Sequence, residues 1–299
     1  MDAHEIREGL TESNARRAML TACVSAGLPQ LPDAELLRLG ENALFALPEA
    51  GVVVRVARST EMADKVAKEL AVASWLAGHG FPSVHPTDAP QPIEAHGRLV
   101  TFWEYVPNGS PATSVTILAR LLRDLHALPD PDFPLPDLDP FPIMRRRLET
   151  ASGIRREDAG FLAEACDEAE DAFRVLVASS SRHMVHGDAH RGNVLMDDDR
   201  PLLIDYEAVA VGPRAWDLVP TAIAVDRFDL PPADYAEFVR VYGTDVTEWY
   251  GYQVLRTTRE LGMMTWLMQI AQSGPAADEF ALRMESLRKG DLERRWHAL

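Results

Sequence analysis

MVHGDAHRGNVLMDDDRPLLIDY, residues 184–206, sets Asp188, Asn193 and Asp205 within one short span, with His186 and Gly187 just ahead of them. Carboxylates brought close repel unless a cation sits among them. VLM and PLLIDY read as two short strands of a hairpin, which brings Asn193 and Asp205 to the same end of it. An amide oxygen and a carboxylate facing one gap suit Mg2+, a hard ion that takes oxygen ligands, keeps several waters and is completed by substrate phosphates. Asp188 then lies beside the metal without needing to bind it. It is left to accept a proton from, and orient, an incoming hydroxyl.

The surrounding chain changes character once. Residues 2–26 have the spacing of an amphipathic helix that stops near Gly27 and Pro29. From Leu36 to Val56 come short β-rich runs, LLRLG, NALFAL and GVVVRVA, broken at Gly40 and at Pro48–Gly51. EMADKVAKELAVASWLAGHG is helical in spacing, with Val66, Leu70, Ala73, Trp75 and Leu76 for an apolar face. PIEAHGRLVTFWEYV reads as a hairpin turning at His96–Gly97. Beyond Asn108–Gly109 the text is mainly helical: TSVTILARLLRDLHAL, then about 143–177, 232–242 and 252–271. The proline-rich stretch 129–142 fits neither helix nor central strand and is an exposed excursion. The expected fold class is α+β, with a small β-rich N-terminal lobe over residues 1–105 and a larger α-helical C-terminal lobe over 106–299.

Composition narrows the function. With 299 residues, 46% of them hydrophobic, a sizeable core is available. Two cysteines, Cys23 and Cys166, leave no disulfide framework and few zinc sites. The opening residues lack a basic start followed by an apolar core, and the apolar pattern near 261–271 is too short for a bilayer. A cytoplasmic protein with no membrane partner is therefore expected. A net charge of −16 argues against nucleic acid. It favours a cationic ligand by long-range steering, or simply keeps the surface soluble.

HGDAHRGN followed by LLIDYE resembles the catalytic and metal-binding segments of the aminoglycoside phosphotransferase family, small-molecule kinases with a protein-kinase-like bilobal fold. His186-Gly187-Asp188 stands where kinases carry His-Arg-Asp, and Asp205-Tyr206-Glu207 where they carry Asp-Phe-Gly. The resemblance implies Asp188 as the catalytic aspartate that accepts from and orients the hydroxyl, and Asn193 and Asp205 as the Mg2+ ligands. It also implies Arg191 close to the transferred phosphoryl. ATP or GTP would be the donor. In the upstream lobe it places Arg55 of GVVVRVA where kinases have the phosphate-gripping lysine, with Glu69 on the next helix as its partner. Gly40 falls in the turn that covers the phosphates, without the G-x-G-x-x-G pattern. The backbones of Trp103 and Tyr105 would meet a purine, and Phe102 would line the pocket. The aromatic side chains of Phe102 and Trp103 also suit plain core packing. Asp217 of GPRAWDLV is implied as a brace on the catalytic loop, and His186 as a packing post.

The acceptor is the least determined part. The family's acceptor cleft corresponds to residues 129–165 and 226–272, where Asp226, Asp229, Asp245, Glu248 and Glu260 offer carboxylates to a polyamine sugar. Asp226 and Glu260 are the candidates for substrate contact, although Arg256 or Arg259 could neutralise Glu260. Three readings follow. One is a kinase of an aminoglycoside, giving antibiotic resistance. Another is the same reaction on a macrolide, nucleoside antibiotic, amino sugar or other metabolite. The last is a nucleotide-binding scaffold without catalysis. The expected partners are a nucleoside triphosphate and a small-molecule acceptor, with the chain a monomer or weak homodimer.

Overall fold

The computed structural model describes residues 9–107, 109–112 and 114–298. They fold as two compact units, Met1–Ala112 with Gly192–Glu207, and Thr113–Arg191 with Ala208–Leu299. The first unit therefore takes back one hairpin from far along the chain.

Strands β1 (Glu35–Leu39), β2 (Asn42–Leu47), β3 (Val52–Ala57), β4 (Ile93–Ala95) and β5 (Arg98–Glu104) form an antiparallel sheet in the order β1-β2-β3-β5-β4. The hairpin between β4 and β5 turns at His96 and Gly97, both at positive φ (51° and 69°), the twist that suits a two-residue turn. Helix α1 (Glu12–Ser25) starts on a capping box in which Thr11 and Asn14 bond each other's backbone N–H. Its stripe of Ala15, Ala18, Met19, Ala22 and Cys23 shares a core with Phe45, Val54, Val56, Val100 and Phe102 on one sheet face. The part of this expected helix before residue 9 lies outside the described residues.

β3 alternates: Val52, Val54 and Val56 point into that core, and Arg55 points the other way. On that second face lies α2 (Ala63–Gly78), packed through Val66 and Leu70 on Ala57 and Leu99. A three-stranded sheet completes the unit, with β8 (Val194–Asp197) between β6 (Ser110–Pro111) and β9 (Arg200–Leu203). Parallel bridging of Ser83 with Leu203 ties the β8–β9 hairpin to the segment after α2.

The second unit is helical: α3 (Val115–His126), α4 (Phe141–Thr150), α5 (Arg156–Ser179), α6 (Ala215–Arg227), α7 (Pro232–Tyr242), α8 (Tyr252–Leu267) and α9 (Pro275–Lys289). Its one small sheet pairs β7 (His183–Val185) with β10 (Ala210–Gly212). The helical pattern over 143–177 is two helices, not one, because the chain breaks at Gly153, which takes φ +78°. The proline-rich excursion has no helix before Phe141 and touches the unit by a bridge from Asp137 to Val211. Along α8, Met264 and Leu267 are core, whereas Trp266 faces outward. The stretch after α9 is irregular yet clasped: Arg227 Nη1 donates to the Asp291 and Arg294 carbonyls, Arg256 Nη2 to that of Leu292, and Trp296 is buried against Arg227. Among the described residues no helix is long and apolar enough to cross a membrane.

Candidate active site

In the first unit, the outward turn of Arg55 on β3 meets one face of α2. Arg55 pairs with Glu69, whose side chain is buried, and its Nη2 lies 2.9 Å from Glu207 Oε2. With its amide oxygen turned inward, Asn42 accepts from Arg55 Nη2 at 2.7 Å and Nε at 3.1 Å. Lys65 Nζ also pairs with Glu207, and Lys68 Nζ donates to the Glu207 carbonyl at 2.7 Å. Three cations thus gather on one residue. Burial and the neighbouring Lys65 push Lys68 down to about 8. Lys65 and Lys68 were missed as site residues in the sequence. The available signal was their spacing on α2, which flanks Glu69 in a chain with only three lysines.

The β8–β9 hairpin forms as the residue pattern requires, with Val194 opposite Leu203. Ile204 N–H donates to the Asn193 carbonyl at 3.0 Å, so Asn193 and Asp205 lie at the same end of the hairpin. Asp205 takes φ +68°, a left-handed conformation uncommon for a side-chain-bearing residue and concentrated at functional sites. Asn193 is buried and Asp205 half-buried. A pair of oxygen donors, one amide and one carboxylate, fits Mg2+, which keeps waters and shares phosphate oxygens. No cluster of three or more His, Cys, Asp or Glu suited to a metal occurs among the described residues.

Gly40 makes the exposed turn from β1 into β2, its N–H donating to the Asn42 carbonyl at 3.0 Å. The side chains of Phe102 and Trp103 pack as core, and the Tyr105 amide is engaged elsewhere than the purine-binding expectation had it. Phe102 is fully buried in the sheet core, and Trp103 is 8% exposed with its Nε1 donating to Thr101. Tyr105 N–H, the expected purine donor, instead donates to the Gly51 carbonyl at 2.9 Å, because the β3–β5 register continues one step past Glu104.

In the second unit, β7 delivers the chain into the loop His186-Gly187-Asp188. Asp217, in the first turn of α6 and fully buried, accepts from His186 N–H at 2.7 Å and Gly187 N–H at 2.9 Å. His126 Nε2 lies 3.0 Å from the same carboxylate, and its Nδ1 lies 2.8 Å from Tyr242 Oη. Burial alone would raise the Asp217 carboxyl. The His126 hydrogen bond and the charges of His126 and His186 outweigh it, and the group sits below its ordinary value. Asp217 is thus the loop's brace, and His186, fully buried, is its post: the Asp188 N–H points at His186 Nδ1, 3.3 Å away. Gly187 takes φ +85°, and a Cβ there would stand 2.0 Å from the Ala208 carbonyl oxygen. Only glycine fits.

Asp188 emerges from this frame with its side chain 51% exposed. Its Oδ2 faces His190 Nε2 at 3.5 Å and its Oδ1 faces Arg259 Nη1 at 3.6 Å. Arg259, which reaches in from α8, was not foreseen in this role; nothing in local spacing connects residues 188 and 259. Arg191 is exposed at the end of the loop. The two acceptor candidates are engaged by arginines. Glu260 is buried, accepting from Arg227 Nε at 2.7 Å and Nη2 at 3.2 Å and from Arg256 Nε at 3.2 Å. Asp226 Oδ2 accepts from Arg256 Nη1 at 2.7 Å. Glu260 thus anchors the helices, with both oxygens held by guanidinium.

A five-stranded antiparallel sheet in one unit and a helical second unit are the protein-kinase-like α+β fold. The model of the phosphotransferase enzyme family (APH) matches residues 40–257, and the chain belongs to that family. It is a phosphotransferase with an alcohol group as acceptor, a small-molecule kinase. Among solved structures it is similar to the amicoumacin kinase hAmiN in complex with AMP-PNP, Ca2+ and Ami (TM-score 0.73, 15% identity, 94% of this chain and 96% of that one). It is also similar to the choline kinase LicA from Streptococcus pneumoniae (TM-score 0.63, 17% identity, 91% and 97%). A further likeness is to an aminoglycoside-3'-phosphotransferase of type VIII (TM-score 0.59, 22% identity, 81% and 98%). At these identities the likeness is one of fold. No curated protein matches the sequence.

Proposed function

We propose that the chain transfers the terminal phosphoryl group of ATP or GTP to a hydroxyl of a small-molecule antibiotic, most simply an aminoglycoside, and so confers resistance in the cytoplasm. Asn193 and Asp205 are the residues that would hold Mg2+, which when bound offsets charge on the phosphate oxygens. Arg55, fixed by Glu69, grips the phosphates, and Lys65 and Lys68 add positive charge beside it. Asp188 receives the acceptor hydroxyl and orients its oxygen for in-line attack, while Arg191 offsets charge developing on the phosphoryl.

The observation that carries this reading is the Asp188 loop: its backbone is locked by buried Asp217 while its carboxylate stays half exposed. Such rigidity below and access above is what orientation of a substrate demands. Replacing Asp188 with Asn should leave nucleotide affinity within a few-fold while transfer collapses. Turnover that persisted within a few-fold of wild type would remove Asp188 from the mechanism.

A second reading keeps the reaction and changes the acceptor to a nucleoside antibiotic, a macrolide, an amino sugar or another metabolite. It is favoured by the state of the acidic residues. Asp226 is paired with Arg256, Glu260 with Arg227 and Arg256, Asp229 with Arg295, and Asp245 accepts from Tyr235. Asp226, Asp229 and Glu260, already paired with guanidinium, offer little to a polycation, whereas Asp245 keeps its charge. The names of similar structures span amicoumacin, choline and aminoglycoside kinases, so fold alone is neutral on the choice. Incubation with ATP, Mg2+ and a panel of antibiotics and amino alcohols, read by mass spectrometry for phosphorylated products, separates the two readings.

A further inference from the structure

Arg259 stands midway along α8 and touches the loop that carries Asp188. Its Nη2 donates to the Gly187 carbonyl at 2.9 Å, and its Nη1 lies 3.6 Å from Asp188 Oδ1. Residues three or four apart share one stripe of a helix. From Arg259 that stripe runs through Met263 and Trp266 and, in the turn after the helix, to Ile270. Its covering changes along the way. The Arg259 side chain is 12% exposed, Met263 is half-buried, and Trp266 and Ile270 stand 44% and 48% exposed. The far side of α8 is packed, with Leu261, Met264 and Leu267 in the core. At about 1.5 Å per residue, Trp266 lies about 10 Å along the axis from Arg259. That is the span of one small molecule.

The stripe carries no carboxylate of its own. Helix α4 packs beside it at Gly262, where Met144 makes the contact and Arg147 Nη1 lies 3.5 Å from the Gly262 carbonyl oxygen. Ile143, one turn before Arg147 on α4, is 44% exposed. Glu260, next to Arg259 in sequence, is buried and taken up by Arg227 and Arg256. Single exposed apolar residues are ordinary on a protein surface. Here an indole and two isoleucines sit at two packed helices, continuous with the Asp188 loop, in a chain whose net charge is −16.

We infer that this ledge is the acceptor wall and that Trp266 is its specificity-determining residue: the acceptor is a hydroxylated molecule with an aromatic or apolar ring body, not a polycation. The inference rests on Asp188 as the site of transfer and gives the second acceptor reading a chemical class. The hydroxyl gives up its proton at Asp188 as its oxygen bonds the terminal phosphorus, and the bond from that phosphorus to the nucleoside diphosphate breaks. The ring body lies along Met263 to the indole of Trp266, which takes an aromatic ring in an offset or edge-on stack. Small-molecule sites are mostly apolar, with a few placed polar groups. The ammonium groups of a polyamine sugar would meet Arg259 and Arg147 where they need carboxylates.

The test is saturation kinetics on the full chain with Mg·ATP and two sets of alcohols of similar size. One set is hydroxylated aryl glycosides and aryl amides, the other polyamine sugars. Phosphorylated product, read by mass spectrometry, should come from the aryl set. For the aryl compound turned over best, Trp266→Ala should raise KM about 10-fold or more, the loss falling on KM rather than kcat, and Trp266→Phe should restore most of it. Transfer confined to polyamine sugars, no transfer to any aryl compound, or an aryl KM unmoved in Trp266→Ala overturns the proposal. The two levels separate: aryl transfer surviving in Asp188→Asn removes the parent reading, whereas transfer lost there with an unmoved KM in Trp266→Ala removes the ledge alone.

Discussion

Replacing Gly187 with alanine should disable the loop that carries Asp188 and leave the cationic cluster of the first unit untouched. An L-residue at φ +85° costs about 1–2 kcal/mol in backbone strain. The new Cβ would also stand 2.0 Å from the Ala208 oxygen and 2.7 Å from its carbonyl carbon, far inside contact distance. Both atoms are backbone, so no rotamer change relieves the clash and the loop must shift by about an ångström or more. Moving it strains three bonds at Gly187: its N–H to Asp217, and its carbonyl from Trp216 and from Arg259. Each net hydrogen bond lost is about 1 kcal/mol, so with the backbone strain the stability loss should come to about 4–5 kcal/mol if all three break. A displacement of this size at the orienting group should lower kcat by about 100-fold or more. The assay is ADP release with an acceptor found by the panel, set beside the nucleotide Kd from calorimetry. A variant with near-normal kcat and an unchanged denaturation midpoint would refute the argument that this backbone position is closed to a side chain.

Three further outcomes follow from other parts of the structure. Glu207→Gln removes the carboxylate that Arg55 and Lys65 share, so nucleotide should bind about 3–10-fold more tightly, a change of about 1 kcal/mol read by calorimetry at fixed salt. Arg227→Met leaves Glu260 with one of its two cationic partners and should lower unfolding free energy in urea by about 3–5 kcal/mol. The depressed carboxyl of Asp217 gives an acid-side effect. Its folded value lies below the unfolded one, so its stabilisation is complete above about pH 4 and lost as pH falls through the folded value. Urea midpoints should therefore drop below pH 4, and the drop should be shallower in Asp217→Asn.

The local geometry of the candidate residues could be read directly where they are close in sequence. Pairing of β8 with β9 brings Asn193 and Asp205 to the same end of one hairpin, and His186 and Asp188 share the loop after β7. Arg55 and Glu69 were legible for a related reason: strand alternation sends Arg55 off the core face, and helical spacing turns Glu69 toward it. What stayed hidden depends on distant segments. Arg259 reaches Asp188 across 71 positions of sequence, and only the packing of α8 decides it. Glu260 looked equally able to face a substrate or an arginine, and burial beside Arg227 and Arg256 decided for the arginines. The aromatic run 102–105 contains both strand and pocket language, and the sheet register extended far enough to claim the Tyr105 amide.

The irregular stretch after α9 carries one more consequence. Residues 291–296 have neither helix nor strand to protect them, yet Arg227 and Arg256 depend on their carbonyls to solvate charge in the interior. Clipping that ribbon would strand two guanidinium groups in a dry environment, with effects far larger than the loss of a few surface residues. A protease cutting within residues 291–296 should meet resistance there that no propensity scale would forecast.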